Sequence, residues 1–255
     1  MDKRHEAIGI KQAIRYEWMQ KAAYLLLAGL DAKAIRQELH DYLSDRMGSG
    51  VRAERSTEAR SFAVTILMNI WVTPDPVLET LRNDALPYLA QGRSAELAVH
   101  WSMIGAAYPF WFNVARQTGR LLALQDQVTM KQVSRRLIEV YGERQTVSRN
   151  AQFVVRSFAF WGVLKDTAQQ GCYQKIVSAP ISDLNLVSLM LEAALHAIPE
   201  GKGTLDLLLN NPAFFPFQLP LMTGDFIGQR REHIEIIRYG LDDELLMLKK
   251  KQGER

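Results

Sequence analysis

Residues 129–165, TMKQVSRRLIEVYGERQTVSRNAQFVVRSFAFWGVLK, read as two short helices and the start of a hairpin. Thr129 is a helix-capping residue, and Val133, Leu137, Ile138 and Tyr141 follow at helical spacing until Gly142 supplies a left-handed stop. Thr146 is a second candidate cap. From there Ala151, Val154, Val155 and Phe158 fall at i, i+3, i+4 and i+7, which predicts the buried face of a second helix. Its opposite face carries Arg149, Gln152, Phe153 and Arg156, with Gln145 and Ser148 at the entry. Beyond Gly162, the runs Val163–Lys165 and Cys172–Ile176, separated by the turn-like Asp166–Gly171, predict a two-stranded hairpin. Helix, turn, helix and hairpin in this order are the parts of a winged helix-turn-helix.

Such a unit binds DNA because its second helix fits the major groove and offers side-chain donors to base edges, while flanking cations meet phosphates. Base-reading candidates are Arg149, Gln152 and Arg156 with Gln145 and Ser148, and phosphate candidates are Lys131, Arg135, Arg144 and Lys165. From Arg120 to Lys165 eight basic residues stand against three acidic ones, a local charge of +5 in a chain whose total is +3. The plainer reading is that these are the solvated faces of two packed helices, with the winged module serving protein contacts.

Outward toward the amino terminus, Phe110, Val114, Leu121 and Leu122 predict a helix from Pro109 to about Leu124. Further helices are expected over Lys11–Ala28, stopped by Gly29, and over Asp31–Tyr42, followed by the loop Gly48-Ser49-Gly50. Thr57 caps another, with Phe62, Ile66 and Leu67 on its apolar face, until Pro74 and Pro76 end it and Pro76–Leu81 opens the next. Leu97–Ala115 contains no Asp, Glu, Lys or Arg and is long enough to cross a bilayer, but His100, Ser102, Asn113 and Pro109 argue for a buried segment broken near Tyr108.

Toward the carboxy terminus, Leu184–Ala197 is a strongly apolar helix ended by Pro199 and Glu200-Gly201-Lys202-Gly203. The aromatic, proline-rich segment Asn210–Phe217 is either a loop folded over the core or an exposed contact site, and Phe214, Phe215 and Phe217 are the candidate protein-interface residues. Ile234, Ile236 and Ile237 read as a strand, and Lys249-Lys250-Lys251 as a basic end.

With 255 residues, 47% of them hydrophobic, the chain can bury a substantial core without metals or disulfides. The expected class is mainly α, with a helical amino-terminal part (1–108), a winged helix-turn-helix (109–178) and a small α/β carboxy-terminal part (179–255). A single cysteine, Cys172, excludes a disulfide framework and any cysteine-cluster zinc site and suggests a reducing compartment, so a cytoplasmic location is expected. No secretion signal is legible.

Catalytic signatures are not found. Gly201-Lys202-Gly203-Thr204 lacks the earlier glycine and preceding strand of a phosphate loop, and the five histidines, His5, His40, His100, His196 and His233, stand singly. Asp41 and Asp45 share a helix face beside His40, a pairing common on solvated helices. The expectation is a non-enzymatic protein with no cofactor and no bound metal.

The ordering of features resembles the BrxA family of BREX (bacteriophage exclusion) defence systems. The resemblance is carried by Leu25-Leu26-Leu27-Ala28-Gly29, the Arg55–Ile70 helix, the step from Pro74 to Leu78, Ala106-Ala107-Tyr108-Pro109-Phe110, and Thr146–Leu164 ending in Phe160-Trp161-Gly162-Val163-Leu164. It covers roughly residues 22 to 178, and the chain is longer than family members chiefly between Asn210 and Gly228. It implies a NusB-like helical part, a winged-helix part, and duplex-DNA binding without known catalysis. Two functions follow as expectations. One is a DNA-binding accessory protein of such a system. The other is an adapter that docks a larger ATPase, methyltransferase or nuclease through the winged module and Phe214–Phe217. RNA binding through the NusB-like part and repression at a single promoter are further alternatives.

Overall fold

The computed structural model describes residues 3–44, 57–239 and 243–249. The loop expected at Gly48-Ser49-Gly50, Arg55 at the start of the quoted helix, Asp45, and Lys250 with Lys251 lie outside the described residues. The chain is mainly helical with a few small sheets. The first half comprises α1 (Lys3–Glu6), α2 (Tyr16–Leu27), α3 (Ala32–Ser44), α4 (Thr57–Leu67), α5 (Glu79–Ala85) and α6 (Arg93–Ala107). A wide turn over Met68–Val72 extends α4 to the prolines, and 3-10 turns at Pro76–Leu78 and Leu86–Ala90 flank α5.

Next come α7 (Pro109–Leu122), β1 (Gln127–Thr129), α8 (Met130–Tyr141), α9 (Gln145–Phe160), β2 (Leu164–Asp166) and β3 (Cys172–Lys175). The three strands form an antiparallel sheet in the order β1-β3-β2, so the hairpin expected after Gly162 is present and gains β1 on its other side. The last section contains β4 (Ala179–Pro180), α10 (Leu184–Ala197), β5 (Lys202–Thr204), α11 (Leu205–Leu209), β6 (Phe217–Gln218), α12 (Gly224–Arg230), β7 (Ile234–Tyr239) and β8 (Asp243–Leu248). Lys202–Thr204, expected as a helix-ending loop, instead pairs with β8 in the sheet β5-β8-β7.

Buried residues from all three sections form one contiguous cluster. At its centre Trp101 on α6 makes ring contacts with Trp111 on α7, Phe158 on α9, Trp161, Phe215 and Phe217, at centroid separations of 4.9 to 6.1 Å. Its indole N–H donates to the Ala213 carbonyl at 3.1 Å, so the polar edge of the ring is also satisfied. That bond ties the 212–217 segment to the core. Phe214, Phe215 and Phe217 are only 4%, 8% and 6% exposed, so of the two expected readings the segment is the loop folded over the core and not the exposed interface: their rings are core side chains. Gly119 makes this packing possible, because a Cβ there would fall on the Pro212 carbonyl oxygen.

The segment Ile8–Arg15 departs from the helix expected to begin at Lys11. It is non-helical, and its backbone is held by one face of α9 and the residue just beyond. Asn150 Nδ2 donates to the Ile8 carbonyl at 2.8 Å, the Ile14 N–H donates to Ser157 Oγ at 2.8 Å, and Trp161 Nε1 donates to the Ile14 carbonyl at 2.9 Å. Buried Ile10 and Ile14 add apolar contact, so this segment is satisfied from a distance and has no need of helical bonds.

The break expected near Tyr108 separates α6 from α7, and the segment Leu97–Ala115 is largely buried. Among the described residues no single helix is long and apolar enough to cross a membrane. The pair Thr57–Val72 and Pro76–Ala90 reaches that length only jointly, is bent by 48° and buries Leu67, Ile70, Trp71, Leu78 and Leu81 in the protein core.

Two carboxylates are buried in this core with opposite consequences. Burial works against the Glu96 carboxylate, but His100 at 3.7 Å and hydrogen bonds from Gln20, Tyr24 and Tyr16 outweigh it and bring its pKa down to about 2. Glu192 on α10 is pushed up to about 7 by burial, which outweighs the attraction of Arg231 at 3.6 Å because that guanidinium also binds Asp84 at 2.8 Å.

Gly119→Ala is expected to displace Pro212 and lower the urea-unfolding stability by roughly 1–3 kcal/mol. An unchanged midpoint would show that the segment yields freely. The pH series tests Glu192. Its raised folded pKa contributes stability that is fully present below about 4.5 and is lost as the pH rises to about 7. The melting temperature of the native chain relative to Glu192→Gln should therefore fall between pH 5 and pH 7.5, and two parallel curves would refute the assignment.

Candidate nucleic-acid interface

α8 begins with a full capping box. Gln132 N–H reaches Thr129 Oγ1 at 3.3 Å, and Thr129 N–H donates back to Gln132 Oε1 at 2.8 Å. Gly142, with φ of 79°, ends the helix and lets the chain turn within three residues into α9. The cap of α9 is not Thr146. Arg144 occupies that position with extended backbone and no side-chain cap bond, which places Thr146 inside the first turn. Val147, Ala151, Val154, Val155 and Phe158 are buried, leaving the other face of α9 to solvent.

Five of the expected contact residues meet on one surface. Lys131 from α8 and Gln145, Ser148, Arg149 and Gln152 from α9 line an open cleft of about 470 Å³ together with Met130 and Ser134. Its lining holds two cations, four neutral polar side chains and no carboxylate. Arg144 and Arg149 border a second cleft of about 570 Å³, which adjoins the first at Arg149. Arg135 lies apart, beside Leu121, Gln132, Arg136 and Glu139, and Lys165 is exposed on β2, so neither joins the first cleft.

Arg156 has another task. Its Nη1 donates to both carboxylate oxygens of Asp166 at 2.6 and 2.8 Å, and its guanidinium lies 4.8 Å from the Phe160 ring centroid. Burial works against its charge, but Asp166 and Tyr173 outweigh that and raise its pKa. The side chain thus ties α9 to the hairpin, so this base-reading candidate is already paired with Asp166.

The sequence reading missed Met130, Ser134 and, on the second cleft, Lys11 and Phe62. Ser134 follows Lys131 at i+3, a spacing that could have revealed it. Lys11 and Phe62 are brought to α9 only by the fold.

Elsewhere the isolated polar groups have structural settings. His100 is buried against the rings of Tyr16, Trp71 and Trp161. Asp41 accepts from Gln37 on the exposed side of α3, and the Cys172 thiol on β3 donates to Gln127 Oε1. Among the described residues no group of three His, Cys, Asp or Glu side chains is placed to hold a metal ion.

The chain matches no protein-family model, no curated protein and no solved structure.

Arg156→Ala should destabilise the fold by about 0.5–1 kcal/mol, a small effect because the pair is partly solvated. Arg149→Ala should leave the melting temperature unchanged. Equal melting curves for all three proteins would remove the distinction drawn between these arginines.

Proposed function

We propose that this chain binds duplex DNA through a winged helix-turn-helix spanning residues 109–178, with α9 entering the major groove. The observation that carries the reading is the first cleft, where Lys131, Gln145, Ser148, Arg149 and Gln152 converge without a carboxylate among them. Gln and Ser can donate to and accept from base edges, Arg149 can reach guanine bidentately, and Lys131 offers a mobile charge to phosphate. The order α7, β1, α8, α9, β2, β3 and the arrangement β1-β3-β2 support the same reading, with the β2–β3 hairpin as the wing. Lys165 on that hairpin and Arg144 at the start of α9 are the flanking phosphate contacts, and Arg135 serves only if the duplex extends past α8.

The biological role in this proposal is that of a non-catalytic accessory protein of a BREX-type phage-defence system in the bacterial cytoplasm, with residues 1–108 as a NusB-like part. It rests on the resemblance of the quoted stretches between residues 22 and 178. The adapter reading loses its motivating surface, since Phe214, Phe215 and Phe217 are buried.

Fluorescence anisotropy with a labelled duplex at about 50 and 200 mM salt tests the DNA reading. Affinity should fall steeply with salt, and Lys131→Ala/Arg149→Ala should weaken binding at least about tenfold and flatten the salt slope by as much as about two. Absence of duplex binding at the lower salt, or binding by the double variant equal to the native chain, would sink it.

A further inference from the structure

The second cleft combines charge with exposed aromatic surface in a way the first does not. Its lining includes Lys11, Arg144 and Arg149 together with Phe62 and Phe153, and Phe62 is 43% exposed although it sits on α4, whose apolar face otherwise turns inward. Each ring has a cation beside it: Lys11 Nζ lies 5.1 Å from the Phe62 centroid, and the Arg149 guanidinium 5.9 Å from that of Phe153. The pattern continues along α9, where Arg156 and Arg15 lie 4.8 and 4.3 Å from the Phe160 ring. Arg149, Phe153, Arg156 and Phe160 therefore make an alternating stripe at i, i+4, i+7 and i+11.

Aromatic faces next to cations, in a cleft that also holds Asn150 and Gln12, fit unpaired bases and their phosphates better than they fit a closed duplex. Stacking accepts any base, and the neighbouring cations follow the backbone. Glu6 and Glu58 also border the cleft and limit how many phosphates it can hold. Arg149 lines both clefts, so a strand leaving a duplex seated on α9 passes this cation on its way into the second cleft.

We infer that the cleft between α4, the Ile8–Arg15 segment and α9 binds a single-stranded extension of the duplex, with bases stacked on Phe62 and Phe153 and phosphates on Lys11, Arg144 and Arg149. This rests on the reading of α9 as the duplex-contacting helix. It makes the preferred ligand a duplex end with an overhang.

The test is an anisotropy titration of a blunt duplex, the same duplex with an overhang of about six thymines, and the free thymine strand, against the native chain, Phe62→Ala and Phe62→Trp. The overhang should tighten binding about tenfold, Phe62→Ala should abolish that gain, and Phe62→Trp should restore it, with matching melting curves to show that all three proteins are folded. Equal affinity for blunt and overhang duplexes, or a gain that survives in Phe62→Ala, overturns the inference while leaving duplex binding intact. Binding of the free strand that depends on Phe62, without any binding of the blunt duplex, upholds the cleft and instead rejects the reading of α9. Failure to bind any of the three ligands rejects both.

Discussion

The packing of Trp101 is the constraint on which the rest of the structure depends. One ring touches residues from α7, α9, the turn after α9 and the 212–217 segment, and its N–H closes the last of these onto the core. All of these contacts but the tilted one with Phe158 are edge-to-face, a geometry that fixes ring orientation as well as distance, so the elements that carry the rings are held in angle and register. Trp111 and Phe158, themselves in contact, place α7 and α9 relative to each other before any surface residue is considered. The polar face of α9 owes its position to this arrangement.

α9 has three duties distributed around its circumference. Its apolar residues enter the core, Asn150 and Ser157 hold the Ile8–Arg15 segment, and Gln145, Arg149 and Gln152 remain exposed. Few side chains on it are unassigned, and this limits its freedom to rotate or slide. A helix pinned from two sides presents its exposed side chains from a fixed backbone. The Arg156–Asp166 pair extends the same restraint to the hairpin.

Much of this was legible where local chemistry and tertiary packing agree. The apolar run that forms α10 was legible to its exact bounds, and so was the break at Tyr108, because Pro109 imposes it whatever surrounds it. The buried and exposed faces of α9 also follow from helical periodicity. What was not legible depends on partners distant in sequence. Lys11–Arg15 has helical composition, yet Ser157 and Trp161 bond its backbone at Ile14 and Asn150 holds the preceding Ile8 carbonyl. Phe62 looks like a core residue and is held at the surface beside Lys11. Phe214, Phe215 and Phe217 could have pointed either way, and Gly119, nearly a hundred residues earlier, leaves the space that admits the segment.

The attachment of Ile8–Arg15 to α9 also bears on the order of events during synthesis. The segment is synthesised before α9, and its acceptors and donors at Asn150, Ser157 and Trp161 are separated from it by 142 to 147 residues. Translation at roughly 5–20 residues per second puts that delay at about seven to thirty seconds. For that interval Ile10 and Ile14 have no native partners on α9, and closing so long a loop comes late and slowly. The Ile8–Arg15 segment consequently waits for most of the synthesis of the residues that follow it, and is a natural place for a chaperone to hold.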